Sequence, residues 1–197
     1  MNLGHLLLLR HGETEWSKSG QHTGRTDLPL TQRGEKDAES LRPLMAGREL
    51  ALVLISPLKR AQDTARLAGL TGELEPHLLE WDYGDYEGRR TADIREDLND
   101  PDWTIWRDPI PPGKTPGEQP EEVADRARLV LQRVEPLLLK GQDCALVAHG
   151  HMLRILAATW IGLPAVDGRL FTLDAGAIST LGYEHEQHVI QGWNTKK

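Results

Sequence analysis

Apolar and polar positions alternate along this chain in two rhythms. Leu6 to Leu9 are four consecutive leucines with no polar residue among them, the pattern of a strand buried on both faces. "ELALVLIS" (residues 49–56) and "DCALVAHG" (143–150) read the same way. Between them the spacing turns helical. In "EEVADRARLVLQRV", Val123, Ala127, Val130, Leu131 and Val134 recur at i, i+4, i+7, i+8 and i+11, which predicts an amphipathic helix. Thr31 is placed to cap a helix running to about Ala46, with Leu41, Leu44 and Met45 on its apolar side. Pro43 predicts a kink or early end there. Ser56 is expected to cap a further helix with Pro57 at its first position. "HMLRILAATWIG" reads as a buried helix, and "RLFTLD", "AISTLGYEH" and "HVIQGW" as closing strands or a hairpin. Strands alternating with helices predict an α/β sandwich.

Neither a repeat nor a linker divides the chain, so one domain over residues 1–197 is expected. The stretch from Asp100 to Pro120 holds Pro101, Pro109, Pro111, Pro112, Pro116 and Pro120. It reads as an ordered surface excursion, anchored by Trp103 and Trp106, and part of a lid over roughly residues 80–118.

Charge and cysteine content narrow the class. With 23 Lys plus Arg against 30 Asp plus Glu, the net charge of −7 argues against general binding to nucleic acid or anionic membranes. The single cysteine, Cys144, allows no internal disulfide and fits a reducing compartment. The leucine run is too short to span a bilayer and has no cationic flank of a signal peptide, so a cytoplasmic location is expected.

The chemistry gathers where the buried strands stop. "LLLLRHG" ends in Arg10 and His11, and "ALVAHGH" ends in His149. Parallel pairing would bring both histidines to one sheet edge, where open α/β sheets bind ligands. Arg60, in "SPLKRAQDT", falls in the first turns of a helix whose N-terminus favours anions. Two forked guanidinium groups and a helix end suit a phosphoryl dianion. A neutral histidine is then a candidate nucleophile and the second histidine a stabiliser of transition-state charge. "LLEWDYGDYEG" offers Glu80 as proton donor; its apolar neighbours favour a general-acid role over that of a solvated carboxylate. A structural Glu80–arginine pair is the plainer alternative. "HGH" at 149–151 as half a metal site lacks an accompanying Cys cluster or HExxH, so neither a metal nor a cofactor is expected. His185 and His188 are expected at a solvated turn, and His5 and His22 are left without an assigned role.

"LRHGETEW", "SPLKRAQDT", "LLEWDYGDYEG" and "ALVAHGHMLR", in that order, resemble the histidine phosphatase superfamily, which includes the cofactor-dependent phosphoglycerate mutases. The resemblance spans residues 6–182. It implies a three-layer sandwich with a mostly parallel sheet, phosphorylation of His11, a phosphate pocket of Arg10, Arg60 and His149, and proton donation by Glu80. It also implies that Ser17, Gln21, Thr23, Gly24, Tyr83, Gly150 and His151 lie near the substrate. "TEWSKSGQHTGRTDLPLT" and "FTLDAGAISTLGYEH" are most similar to the sugar-bisphosphatase and bacterial acid phosphatase branch. Its bisphosphatase insertion after "WIGL" is absent, and no evident arginine pair lies between Glu80 and His149. Hydrolysis of a small sugar phosphate is therefore expected, with a mutase as the alternative and an inactive phospholigand-binding module as a third reading. The expected partner is a small phosphorylated metabolite, with a homodimer allowed.

Overall fold

The computed structural model describes residues 3–196. Twelve α and β elements follow in chain order: β1 (Leu6–Arg10), α1 (Glu15–Ser19), α2 (Gln32–Met45), β2 (Leu50–Ile55), α3 (Lys59–Leu67), β3 (Glu73–Leu74), α4 (Thr91–Leu98), α5 (Pro120–Leu138), β4 (Asp143–Ala148), α6 (Gly150–Trp160), β5 (Ile178–Glu184) and β6 (Gln187–Thr195). The strands form one sheet in the order β3-β2-β4-β1-β5-β6. β1 to β4 run parallel, and β5 and β6 close the sheet antiparallel.

The leucine run explains the three layers. Leu6 and Leu8 face the core shared with α5 and α6; Leu7 and Leu9 face the core shared with α2 and α3. All four are essentially unexposed. A strand with both faces covered has no place for a polar residue, and each such leucine stabilises the fold by about 1.5–3 kcal/mol. No helix among the described residues is long and apolar enough to cross a membrane.

Register sets up the site. Leu6 pairs with Cys144 and Arg10 with Ala148, so His11 and His149 follow their strands at the same level. The His11 N–H donates to the Ala148 carbonyl at 3.0 Å. Gly12 then lets two backbones touch, because a Cβ there would stand 2.1 Å from the Gly34 carbonyl oxygen of α2.

Several elements depart from the expected pattern. α2 runs through Pro43 to Met45. In a final turn the proline removes only one hydrogen bond, and the helix ends almost at once. α5 likewise extends past Val134 through Pro136 to Leu138. Ser56 does not cap α3: the helix begins at Lys59, after Leu58, with no side-chain cap. The Ser56 hydroxyl is bonded to His149 instead. Residues 169–174 form no strand. Their carbonyls are taken by side chains: Gly168 and Arg169 by Arg154, Thr172 by Trp193 and Leu173 by Arg10. Carbonyls engaged this way at 169, 172 and 173 are not available for a sheet ladder. His188 is packed, not merely solvated; it stacks on Trp160 at 3.9 Å and bonds Glu135 at 3.0 Å. The excursion before α5 is anchored as expected. Trp103 is buried edge-on to Tyr86 at 5.0 Å, and Trp106 is edge-on to Trp81 at 5.2 Å.

Candidate active site

A cavity of about 400 Å³ opens beyond the carboxyl ends of β1 and β4. Its wall brings together Arg10, His11, Ser17, Gln21, Thr23, Glu80, Tyr83, Gly150 and His151. Segments far apart in sequence thus meet at the sheet edge where strand order favours a ligand.

His11 is held in one tautomer. Its Nδ1–H donates to its neighbour's carbonyl, Gly12 O, at 2.7 Å. Nε2 is left with its lone pair and no hydrogen bond among the described residues. Burial, then the charges of Arg60 and Arg10, hold the imidazole well below its ordinary range, outweighing the opposite pull of the Gly12 carbonyl. A neutral ring with a bare nitrogen is the form a nucleophile requires. Gly12 is itself fixed, its N–H donating to Thr64 Oγ1 at 3.1 Å while that hydroxyl donates to the Arg60 carbonyl at 2.7 Å.

Arg10 and Arg60 differ in placement. Arg10 lines the cavity, donates from NH1 to the Leu173 carbonyl, and keeps a buried Nε with no partner among the described residues. Arg60 is fully buried behind the wall. Its guanidinium donates to the carbonyls of Thr26 (2.8 Å), Gly24 (2.9 Å) and Thr23 (3.2 Å). Its Nε donates to His149 Nδ1 at 3.1 Å. An acceptor at Nδ1 fixes the proton on Nε2, which donates to Ser56 Oγ at 2.6 Å. Both nitrogens of His149 are therefore engaged, and neither it nor Arg60 lines the cavity. His149 is also kept neutral, by burial and then by Arg60, His11 and Arg10. The two imidazoles stand 5.2 Å apart.

Glu80 is buried, but its surroundings are not the apolar pocket its neighbours suggested. Oε1 accepts from the N–H groups of Trp81 (2.9 Å) and Met152 (2.8 Å), and Oε2 from that of His151 (3.1 Å). The first turn of α6 thus aims the carboxylate. Of its roughly four acceptor sites one remains open, on Oε2.

Other expected contacts are shared with structure. Ser17 Oγ caps α1, accepting from Thr14 N at 2.8 Å. Gln21 bonds the Gly88 carbonyl at 2.7 Å. Gly24 is not in the cavity wall: Glu87 takes its N–H at 2.9 Å and Arg60 its carbonyl. Tyr83 Oη meets His151 Nδ1 at 2.5 Å, and burial raises the phenol well above its usual range. His22 and Trp106, left open by the sequence, both line the cavity.

The wall also contains Gly20, Thr91, Thr104, Ile105, Leu173 and Arg154, which sequence reasoning missed. Arg154 stacks over Trp106 at 4.8 Å. It lines the cavity together with Arg10. The signal was present: Gly150 and Arg154 are i and i+4 on one helix face. Thr104 and Ile105 carried none, since only the folding of the excursion brings them in. Among the described residues, no three His, Cys, Asp or Glu side chains cluster as metal ligands would.

Comparison with known proteins agrees with this architecture. The family model "Histidine phosphatase superfamily (branch 1)" matches residues 6–196. An acid phosphatase of Mycobacterium tuberculosis is 40% identical over 183 residues, covering 91% of this chain and 87% of that protein. Sedoheptulose 1,7-bisphosphatase of Saccharomyces cerevisiae is 33% identical over 241 residues, with the same coverage of 91% and 87%. The solved structure of an open-reading-frame product of M. tuberculosis superposes with a TM-score of 0.89 at 39% identity, covering 98% of each chain. The chain belongs to the histidine phosphatase superfamily, branch 1, and is a phosphatase of that family.

Proposed function

We propose that the protein hydrolyses small phosphomonoesters, sugar phosphates in particular, through a phosphohistidine on His11. The observation that carries this reading is the fixed tautomer of His11, whose bare Nε2 belongs to a cavity also lined by Arg10 and Glu80. Nε2 attacks phosphorus as the ester P–O bond breaks, and Arg10 takes the charge of the phosphoryl oxygens. Glu80 gives the proton at its open Oε2 site to the leaving oxygen. The resulting carboxylate accepts a proton from water as that water attacks the phosphohistidine. Phosphate departs, and His11 and Glu80 return to their starting forms. Arg60 and His149 support this from behind the wall, by field and by holding the loop at 23–26. Arg154 and Trp106 suit the hydroxylated or anionic remainder of the substrate, and the sugar bisphosphatase among the relatives points the same way.

One preparation should be assayed for phosphate release from sugar phosphates of three to seven carbons and for interconversion of phosphoglycerates. Hydrolysis should dominate, and acid-quenched enzyme should carry label on His11 that His11→Ala lacks. Mutase turnover above every hydrolysis rate, or near-normal activity of His11→Ala, overturns the reading.

A further inference from the structure

Glu118 ends the proline-rich excursion, 38 positions beyond Glu80, and its side chain is only 15% exposed. Arg126 of α5 grips it with two bonds, Nε to Oε1 at 2.7 Å and NH2 to Oε2 at 2.9 Å. The same residue then holds the chain just after Glu80. Oε2 accepts from Asp82 N at 2.9 Å, the Glu118 N–H donates to Asp82 O at 2.9 Å, and the Glu118 carbonyl accepts from Trp81 Nε1 at 2.7 Å. Arg126 holds the chain just before it, NH1 donating to the carbonyls of His77 (2.6 Å) and Leu79 (2.9 Å). A third arm, Arg25 NH2 to Oε2 at 3.3 Å, ties in the loop whose carbonyls seat Arg60.

The pair embraces the Glu80 backbone on both sides, yet nothing in it touches the Glu80 carboxylate. That carboxylate is aimed separately, by the N–H groups of Trp81, His151 and Met152. Two sets of restraints therefore meet at one residue, linked through Trp81, whose Nε1 bonds the Glu118 carbonyl, and Met152, whose Sδ accepts from Arg126 NH1 at 3.7 Å. With three acceptor sites occupied, Glu80 has one direction left for a proton, and a small backbone shift would turn it from the leaving oxygen. A desolvated ion pair is a poor source of stability, and its best-attested use is to fix one arrangement among several.

We propose that Glu118 and Arg126 are positioning residues for Glu80, fixing residues 77–82 so that its open Oε2 site meets the leaving group. The inference rests on Glu80 being the proton donor. Glu118→Gln keeps the shape of the side chain but turns an amide donor toward the donors of Arg126 or Asp82. Arg126→Lys keeps the charge but has three donors for the four bonds that Arg126 makes to two carbonyls and both oxygens of Glu118.

The test compares nitrophenyl phosphate, whose leaving group departs without a proton, with glycerol phosphate, whose alkoxide needs one. Single-turnover rates are measured for wild type, Glu118→Gln, Arg126→Lys, Glu80→Gln and Glu80→Gln/Glu118→Gln, with melting temperatures alongside. Glu118→Gln should slow glycerol phosphate by about tenfold or more, while nitrophenyl phosphate changes by less than about threefold. In the Glu80→Gln background it should add almost nothing. Equal losses on both substrates, or multiplying losses in the double variant, overturn the positioning role while leaving the proton donor in place. An equal effect of Glu80→Gln itself on both substrates removes the proton donor and the proposal with it. If Glu118→Gln does not fold, Arg126→Lys is read the same way; failure of both to fold assigns the pair to stability and overturns the proposal.

Discussion

Gly150 opens α6 immediately after His149, and its backbone needs no left-handed torsion. Space, not conformation, excludes a side chain there. A Cβ would lie 3.2 Å from both Cζ and Nε of Arg10 and 3.5 Å from NH1. Carbon–carbon contacts are optimal at roughly 3.5–4.0 Å, so Gly150→Ala asks the guanidinium to yield by a few tenths of an ångström. Arg10 is bonded at NH1 to the Leu173 carbonyl. It therefore yields by tilting its plane or by giving up that bond, and either change misaligns it for a phosphoryl group.

The expected effects on stability and rate have opposite signs. Alanine is favoured over glycine by up to about 1 kcal/mol within a helix, and the tight contact offsets much of that. The melting temperature should hold or rise slightly. A misplacement of about 1 Å can cost on the order of 10²-fold in rate, so a few tenths should cost roughly 3- to 6-fold in kcat/KM. Phosphate inhibition should weaken in parallel. Gly192→Ala, where a Cβ would meet nothing within 4 Å, is the control. If Gly150→Ala keeps kcat/KM and phosphate inhibition within about twofold of wild type while Arg10→Lys is severely impaired, the tight seating of this guanidinium is not what activity requires.

Three further outcomes follow from the same geometry. Thr64→Val leaves the Gly12 N–H buried without its acceptor, which should cost about 1–3 kcal/mol in urea unfolding and reduce turnover through His11; a loss under about 0.5 kcal/mol contradicts this. Burial lowers the His22 pKa to about 4, so between there and the unfolded value of about 6.5 the unfolded chain binds more protons. Stability is then complete above about pH 6.5 and falls on acidification, by at most about 3 kcal/mol for His22, because the ring also faces the cavity. His11, His149 and His151, all lowered, act in the same direction. Unfolding free energies at pH 7 and 5 should differ, less so in His22→Gln, and a flat profile refutes the linkage. Prolonged chelation should leave turnover unchanged, since the anion-binding charge comes from guanidinium groups; loss with EDTA and recovery with one divalent ion would show otherwise.

Strand ends were the most legible part of this site. The uninterrupted leucines read as a doubly covered strand, and a parallel partner ending in histidine sets His149 level with His11. Side-chain traffic to backbone carbonyls was not legible, because it depends on three-dimensional proximity alone. Arg154 and Arg10 take carbonyls at 168, 169 and 173, and no strand forms there although "RLFTLD" has strand composition. Ser56 has the residue type of a cap but spends its hydroxyl on a histidine 93 positions away. The leucines beside Glu80 suggested an apolar pocket, whereas the carboxylate faces the N–H groups of α6, an element more than 60 residues downstream.

A chain of net charge −7 with a pocket for a dianion needs its positive field at close range. Arg10 and Arg154 line the cavity and Arg60 lies just behind it, with Glu80, the proposed proton donor, also in the wall. Burial lowers the pKa of all three arginines, yet they remain charged across physiological pH. The field that attracts a phosphoryl group also repels a proton from His11, and after burial itself Arg60 is the largest contributor to that repulsion. In the proposed reaction one set of charges thus serves both to recruit the substrate and to keep His11, the proposed nucleophile, unprotonated. Removing the Arg60 charge should let the His11 pKa rise toward its ordinary value. In Arg60→Met the acid limb of kcat/KM should move to higher pH. In Arg60→Lys, which loses the fork but keeps the charge, the rate should fall while the limb stays in place. Substrate ionisation is common to all three enzymes, so the displacement between variants reports on the protein. Limbs that coincide in wild type and Arg60→Met would mean that burial alone keeps His11 neutral, and that Arg60 acts only by holding His149 and the carbonyls of Thr23, Gly24 and Thr26.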